Sequence, residues 1–416
     1  DVVRTIILKM TNSKCWSNDP KGKKAEEYIH NKSPFDVNCW MILIREAQLR
    51  PIQDSRILFE KAMTQFPGCY RFLKLYIEKE SKEGNTSYLE NLYNRYLPTI
   101  LNIDLYQCYI DYEKSAKSGH ADSSLSMLRA FEFAVEKIGF DYLSYPIWNA
   151  YVQFIKSNEA LGAFAEGQKA NNIRKLYSRI LAVPMANIDN IWKEYVAFEQ
   201  GINKASGDKI TADRLRDFNS VKKISKELEA MLKGIIRTAV PLPPQNTPAE
   251  KRQLDLWNKY ISWEKNNPLN YEDSFLLAQR VIYAYDQFLQ NFSFHTYVWL
   301  EVTQYIERYY RKLLSQGDST RGNNLATTCR EVYRRGVNGP MHENLIFHLC
   351  YADFEETFQN FQNSIEVYEK LLTRPGVDKT LVYIHYMKHM HRTRGPEESR
   401  RLFQRARADP NIDFRI

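Results

Sequence analysis

The chain has 416 residues, of which 44% are apolar and 26% charged, and its formal net charge is +8. These values are normal for a globular protein, and no apolar run approaches the roughly 20 residues of a membrane span, so we expect no membrane partner. The chain is rich in aromatic residues but has only 16 Gly and 16 Pro, which disfavours an all-β fold with its frequent turns. The mildly basic charge allows acidic or nucleic-acid partners without requiring them.

Residues 1–20 carry no repeat signature, and apart from the apolar residues 6–8 they stay an unassigned segment that is loose or partly helical. Because the first residue is Asp1, we expect a fragment or a processed chain. The absence of C-x-x-C pairs and of regular cysteine spacing indicates reduced thiols in a nuclear or cytosolic protein. The six cysteines are Cys15, Cys39, Cys69, Cys108, Cys329 and Cys350.

An aromatic signature, W-x-x-Y-x-x-F-E, begins at Trp192 and is closely repeated from Trp257. Copies with Tyr or His in the first place begin at Tyr106 and His348. Weaker copies begin at Trp40, Phe72, Trp148, Trp299 and Tyr383. A motif that returns every few tens of residues predicts a solenoid, and solenoids usually present surfaces to partners rather than pockets to substrates.

A second motif, R-x-x-[YF], follows the signature after a short polar break, and a proline that cannot continue a helix often closes the unit. This motif begins at Arg56, Arg174, Arg330 and Arg400, and the closing prolines are Pro67, Pro98, Pro184 and Pro375. The repeating unit is therefore helix A, turn, helix B, stop. We predict an all-α fold, an α-solenoid of antiparallel helix pairs similar to tetratricopeptide repeats.

Positions i, i+3 and i+7 of helix A share one face, so its rings can form the core between units. The predicted core residues are Trp40, Tyr106, Trp148, Trp192, Tyr195, Trp257, Tyr260, Trp299 and Tyr351. The glutamate at i+7 lies on that same face, where a carboxylate is costly unless it is paired. We predict that the arginine of helix B, or a backbone donor, satisfies it.

Four prolines within residues 241–248 form the clearest break in the chain, after a predicted helical stretch at about 211–238. We predict two repeat arrays, residues 21–240 and 249–416, joined by the Pro-rich linker 241–248. Arg400 begins a helix B pattern that no polar capping unit follows, so we expect further repeats beyond this chain.

Motifs for catalysis or for binding phosphate and zinc are absent from the sequence. His385, His389 and His391 lie close in sequence and could share a metal, but we favour ordinary polar or half-buried histidines in an aromatic seam. We therefore predict no enzyme, no cofactor, no metal and no small-molecule substrate.

Arginines concentrate in two stretches, Arg334 with Arg335 and, nearer the C-terminus, Arg392, Arg394, Arg400, Arg401 and Arg405. They are candidates for docking an acidic partner or an RNA backbone, although solvated helix faces are the more common explanation. The aromatic residues have core spacing rather than the arrangement of a base-stacking platform. We expect RNA contact to be indirect or weak.

The two motifs together resemble the HAT (half-a-TPR) repeat, which is associated with RNA-processing complexes. The stretches from Trp40 to Gln48, Arg71 to Glu78, Val240 to Lys265 and Thr380 to Lys388 further resemble the suppressor-of-forked family, the large HAT subunits of cleavage stimulation factor. That resemblance runs in order from about Lys21 to the C-terminus, and residues 1–20 depart from it.

The resemblance implies a nuclear scaffold for pre-mRNA 3′-end cleavage and polyadenylation. Its partners would be the protein subunits of the cleavage stimulation and polyadenylation-specificity factors, and it would form a homodimer through the C-terminal HAT domain (HAT-C). The chain stops about three units short of the family's HAT-C array and lacks its Pro-rich tail. A HAT scaffold of splicing or ribosomal RNA processing, and a direct RNA-binding repeat protein, stay open as alternatives.

Overall fold

The structure, a computed structural model, describes residues 17, 19–116, 123–158, 162–410 and 412. Residues 6–8 and Cys15, in the unassigned N-terminal segment, lie outside this part of the chain. The described residues form nineteen helices and no strand, which confirms the predicted all-α class. In chain order the helices are α1 (Pro20–Asn31), α2 (Val37–Leu49), α3 (Ile52–Gln65), α4 (Tyr70–Lys82), α5 (Thr86–Tyr96), α6 (Ile103–Ala116), α7 (Ser123–Ile138), α8 (Tyr145–Ser157), α9 (Ala163–Leu181), α10 (Ile188–Ile202), α11 (Lys204–Leu232), α12 (Pro248–Lys265), α13 (Ser274–Asn291), α14 (Thr296–Ser315), α15 (Ser319–Val337), α16 (Leu345–Thr357), α17 (Phe361–Leu372), α18 (Lys379–Arg394) and α19 (Pro396–Ala408).

The helices alternate as the two motifs predict. Every copy of the aromatic signature begins on an even-numbered helix from α2 to α18, and the odd-numbered helix after it is the helix B of that unit. Each helix packs mainly on its neighbours in the chain, and α2 also contacts α4, α6 contacts α8, and α16 contacts α18. Short connections make the two helices of a pair antiparallel. The predicted solenoid of helix pairs is therefore confirmed.

Local residues explain where several helices begin and end. The Asp36 side chain accepts a hydrogen bond from the backbone N of Cys39 at 2.8 Å and caps α2. The predicted helical stretch at 211–238 is the 29-residue α11, which begins earlier because Asn203 caps it and ends at Leu232, just before Gly234 at φ +89°. Residues 241–247 of the proline-rich linker form no helix, and Thr247 then caps α12.

The chain divides between Ser293 and Phe294 into two compact units, each of which contains several of the two-helix repeat units. They are called the first unit and the second unit below. Helices α1–α13 belong to the first unit and α14–α19 to the second. This division separates the parts of the chain that make most of their contacts within themselves. The predicted boundary at 241–248 instead separates two arrays of repeats, and it stays a prediction. None of the described helices combines the length and the apolar character that crossing a lipid bilayer requires.

The rings of helix A lie between neighbouring helices. Eight of the nine core candidates are buried: Trp40, Tyr106, Trp148, Tyr195, Trp257 and Tyr260 in the first unit, and Trp299 and Tyr351 in the second. Trp192 is half-buried and stacks on Phe218 of α11, with ring centroids 4.5 Å apart and planes 12° apart. Trp257 is fully buried and stacks on Phe288 of α13 at 5.4 Å.

Helix α13 is buried along almost its whole length within the first unit. Its Tyr283 and Gln287 both donate to the buried Oδ2 of Asp141, in the connection between α7 and α8, at 2.5 and 2.6 Å. The guanidinium of Arg237 contacts the same carboxylate. This polar cluster joins Asp141 to Arg237, 96 residues away in sequence, and to Tyr283 and Gln287, 142 and 146 residues away.

Candidate docking surface and the contacts between repeats

In four units the first ring of helix A places a polar atom beside a backbone carbonyl of the preceding connection. This contact satisfies the ring's polar atom inside an apolar seam. It also explains why histidine can replace tryptophan at position 348, since imidazole and indole both carry a ring nitrogen. The contacts join Trp40 to Pro34 O (2.8 Å), Tyr106 to Leu97 O (2.6 Å), Trp148 to Gly139 O (3.1 Å) and His348 to His342 O (2.9 Å).

Four of the buried glutamates near the end of helix A are paired with arginines of helix B, as predicted, whereas Glu113 accepts a hydrogen bond from the Ser126 hydroxyl at 3.4 Å. In three cases the arginine lies on helix B of one unit and the glutamate on helix A of the next unit. The shortest nitrogen–oxygen distances are 2.7 Å for Arg56–Glu80, 2.9 Å for Arg174–Glu199 and 2.8 Å for Arg330–Glu355. Arg280 instead pairs with Glu264 of its own unit, at 2.7 and 2.9 Å. These ion pairs therefore link helix to helix and unit to unit.

A second set of carboxylates, which we call the helix B carboxylates, was missed by sequence analysis. Each directly follows an aromatic residue of helix B, accepts from a tyrosine of the next helix A, and pairs with an arginine of the next helix B. The sets are Glu60 with Tyr76 (3.2 Å) and Arg95 (2.8 Å), Glu132 with Tyr151 (2.7 Å) and Arg179 (2.7 Å), and Glu369 with Tyr386 (3.1 Å) and Arg405 (2.7 Å). The spacing of about one repeat between acid and arginine was the signal that could have revealed them.

The seven candidate docking arginines fall in two groups, both in the second unit. Arg334 and Arg335 lie at the end of α15, where Arg334 Nε is 3.4 Å from the Tyr351 hydroxyl and the Arg335 guanidinium lies 5.3 Å from the Trp299 ring centroid. The other group lies on α18 and α19. Its members are Arg392, Arg394, Arg400, Arg401 and Arg405, and all five are exposed.

Ion pairs already engage three arginines of the α18–α19 group. Arg392 makes two contacts of 2.7 Å with Glu356, and Arg405 makes the Glu369 contact described above. Hydrogen bonds from these arginines lower the pKa of Glu356 and of Glu369, so both carboxylates stay charged in moderately acidic solution. Arg401 contacts Glu398 at 2.6 Å but keeps most of its side chain exposed.

The three histidines of α18 differ in exposure: His385 is half-buried and His391 is exposed. His389 is buried, and its Nδ1 lies 2.8 Å from Glu356 Oε2, in the same cluster as Arg392. Among the described residues, no group of three His, Cys, Asp or Glu side chains is arranged to hold a metal ion. The candidate site is therefore a set of charged, exposed side chains on helices that pack against one another.

A family model described as "Suppressor of forked protein (Suf)" matches residues 21–416. "Protein suppressor of forked" of Drosophila melanogaster is 35% identical, over 94% of this chain and 55% of its own length. "Cleavage stimulation factor subunit 77" of Arabidopsis thaliana is 28% identical, over 90% of this chain and 49% of its own length. "mRNA 3′-end-processing protein rna14" of Schizosaccharomyces pombe is 27% identical, over 85% of this chain and 46% of its own length. The chain thus spans about half the length of the curated relatives that it matches.

Proposed function

Because the chain belongs to the suppressor of forked family, we propose that it is a non-enzymatic scaffold of the pre-mRNA 3′-end cleavage and polyadenylation machinery. The observation that carries the proposal is the family match, which continues from residue 21 to residue 416 and includes every helix from α2 to α19. The names of the plant and fission-yeast relatives, a cleavage stimulation factor subunit and an mRNA 3′-end-processing protein, support the same role.

The construction of the array suits a scaffold. Ion pairs such as Arg56–Glu80 and Arg330–Glu355 join neighbouring repeat units, and stacked rings such as Trp257 and Phe288 join the two helices of one unit, so the exposed side chains are held on packed helices. A rigid array can present several docking surfaces at fixed distances, which raises the effective concentration of its partners for one another without any chemistry. The partners in this proposal are the protein subunits of the cleavage stimulation and polyadenylation-specificity factors, and the place of action is the nucleus.

Homodimerisation through residues 249–416 is the finer part of the proposal, and its support is the family resemblance. A two-fold dimer would double every docking surface. Sedimentation equilibrium at several concentrations tests this directly, with an expected mass of twice the 49.1 kDa of the chain. A mass of 49.1 kDa at all concentrations would remove the dimer from the proposal and leave the scaffold role intact.

The experiment that tests the scaffold role is capture of the tagged chain from nuclear extract, followed by mass spectrometry. We expect cleavage-stimulation and polyadenylation-specificity subunits to be enriched over an unrelated helical-repeat protein carrying the same tag. Enrichment of spliceosomal or pre-ribosomal proteins instead would overturn the pathway and keep the fold. Treating the extract with ribonuclease distinguishes docking on protein from docking through RNA, and we expect the capture to survive that treatment.

A further inference from the structure

At several contacts between repeats the position of the helix B carboxylate holds another residue, such as Ser178 after Tyr177, and at one of them that residue is basic. Between α15 and α17 the acid position is occupied by Arg334, and the arginine position by Lys370. Tyr351 occupies the tyrosine position, as Tyr386 does beside Glu369. This contact therefore keeps the donors that hold a carboxylate elsewhere but supplies no carboxylate at the acid position.

Ring stacking fixes the equivalence of these positions. Tyr333, which precedes Arg334, stacks on Tyr351 with centroids 5.3 Å apart and planes 20° apart. Tyr368, which precedes Glu369, stacks on Tyr386 at 4.9 Å and 10°. Lys370 follows Arg334 by 36 residues, the separation that also joins Glu369 to Arg405. The charge reversal is therefore a substitution within an intact repeat geometry.

A cavity of about 170 Å³ lies at this contact. Arg334, Lys370 and Arg374 contribute three positive charges to its lining, against the single carboxylate of Glu366. Arg374 is held at the wall by the carbonyl O of His342. A water molecule takes up about 30 Å³ in the liquid, so the cavity has room for one acidic side chain or a few waters.

We propose that this cavity, the α15–α17 pocket, binds a carboxylate that a protein partner supplies as an Asp or Glu side chain. The same kinds of donor, a tyrosine hydroxyl and a cation on the next helix B, already hold a carboxylate at three other contacts of this chain. The apolar Val337 and Val367 also line the pocket and suit the methylene groups of such a side chain rather than a bare phosphate. The inference rests on the proposed function only in assigning the carboxylate to a protein.

The test uses the purified full chain and a defined probe, a fluorescein-labelled hexaglutamate peptide with blocked ends, followed by fluorescence anisotropy. The decisive variant carries Arg334→Glu with Lys370→Arg, which rebuilds the acid and arginine of the other contacts and fills the pocket from within. We expect the variant to bind the peptide at least about tenfold more weakly, the least that one charged hydrogen bond contributes. Its thermal midpoint should equal or exceed that of the wild type.

Control variants separate the pocket from general charge and from misfolding. Arg308→Glu makes the same charge change at an exposed position on α14 and should bind the peptide as the wild type does. Lys370→Gln leaves Arg334 in place and should also weaken binding, which keeps the test valid if the double variant fails to fold. Equal losses in Arg308→Glu and the double variant, or no binding by the wild type, would overturn the proposal.

A uridine decamer RNA supplies the remaining outcome. If the RNA displaces the peptide, binds more tightly and loses affinity in the same double variant, the pocket recognises phosphate and the assignment to a protein partner is wrong. Because all these measurements use purified components, their failure would leave the capture of processing subunits from extract untouched. The two proposals can therefore fail separately.

Discussion

At the scale of single residues, the buried ion pairs carry large and opposing energies. Removing both charges from water costs several kcal/mol per ion, about as much as their attraction returns, so an intact pair adds little net stability. Breaking such a pair is different, because one buried charge is left without compensation. The Arg280–Glu264 pair is the most buried of these, with its two side chains only 2% and 1% exposed.

The first prediction concerns Glu264→Gln, which leaves the Arg280 charge buried and unpaired. We expect it to lower the free energy of unfolding by about 3–5 kcal/mol, the usual cost of breaking a buried pair. Glu132→Gln is the matched control in the same compact unit, because the side chains of Glu132 and its partner Arg179 are each 47% exposed. This substitution should lower the free energy of unfolding by less than about 1 kcal/mol. Urea unfolding followed by circular dichroism measures both, and equal losses would contradict the burial argument.

The second prediction concerns His348. Burial lowers the pKa of its imidazole to about 4, and the neighbouring Arg374 acts in the same direction. Between pH 6.5 and 4 the unfolded chain therefore binds a proton that the folded chain does not, so stability falls as the pH falls through this window. We expect this residue to account for a loss of about 2 kcal/mol between pH 7 and pH 5.

The measurement compares urea unfolding at the two pH values for the wild type and His348→Phe. The variant should lose less stability on acidification than the wild type, whatever its absolute stability at pH 7. His342→Gln changes an exposed histidine and should keep the wild-type dependence. Parallel pH dependence in the wild type and His348→Phe would show that the imidazole does not titrate in this window.

At the scale of helices, stacking of rings decides how firmly one element holds the next. Trp257 lies parallel to Phe288 across α12 and α13, with planes 4° apart, and no part of its side chain reaches solvent. Trp192 stacks on Phe218 across α10 and α11 but remains half-buried. The first tryptophan of the signature should therefore contribute different amounts to the free energy of unfolding in different repeat units.

The third prediction is that Trp257→Ala destabilises the first unit by about 3–5 kcal/mol, the usual loss for a buried large aromatic side chain. Trp192→Ala should cost clearly less, because part of its ring is already hydrated in the folded state. Urea unfolding of both variants gives the comparison. Equal costs would mean that exposure of the ring does not govern the energy of these contacts.

The fourth prediction concerns Gly336, where α15 approaches α16 closely. A Cβ atom at this position would lie 2.4 Å from Cε1 and 2.9 Å from Cζ of Phe347, and 3.3 Å from Cε3 of Trp299. Gly336→Ala should therefore cost about 1–3 kcal/mol, since buried rings cannot move aside freely. Gly167→Ala on α9 meets no atom within 4 Å and should instead stabilise by up to about 1 kcal/mol. A gain in thermal midpoint for both would contradict the packing argument.

At the scale of the whole molecule, the fifth prediction concerns docking by the α18–α19 arginines. Arg405 supports the α17–α19 contact, so the clean test reverses Arg400 and Arg401 to Glu. If these side chains dock an acidic partner, capture of processing subunits from nuclear extract should fall while helical content stays unchanged. Arg252→Glu with Lys259→Glu makes the same charge change on exposed positions of α12. Equal capture by the two double variants would return Arg400 and Arg401 to the role of solvated surface.

Local sequence patterns predict what neighbouring helices do. The spacing of rings in the signature predicts helix A and its buried face. The buried positions of Glu199 and Glu355 predict a partner on helix B, because the two members of each ion pair lie on neighbouring helices. The sequence also pointed to the candidate docking arginines, but it did not reveal the ion pairs of Arg392 with Glu356 and of Arg405 with Glu369. Those pairs join elements 36 residues apart, and their signal becomes visible only when the repeats are aligned on one another.

Contacts between distant segments have no such signal. Asp141 lies in an ordinary connection, and its partners Arg237 and Tyr283 are 96 and 142 residues away. No period of the sequence links these three positions. The cluster could therefore be found only once the folded chain brought α13 against the α7–α8 connection.

The Asp141 cluster has a consequence for biosynthesis. A ribosome adding about 5–20 residues per second needs roughly 7–30 s to proceed from Asp141 to Tyr283, a distance of 142 residues. During that interval the protein partners of the Asp141 carboxylate are limited to the backbone N of Leu143 (2.8 Å) and, once it is translated, Arg237, because Tyr283 and Gln287 of α13 have not yet been made. We expect protease protection of the α7–α8 connection to appear only in stalled nascent chains long enough to have released α13. The first unit then completes its fold at the end of its own synthesis rather than repeat by repeat.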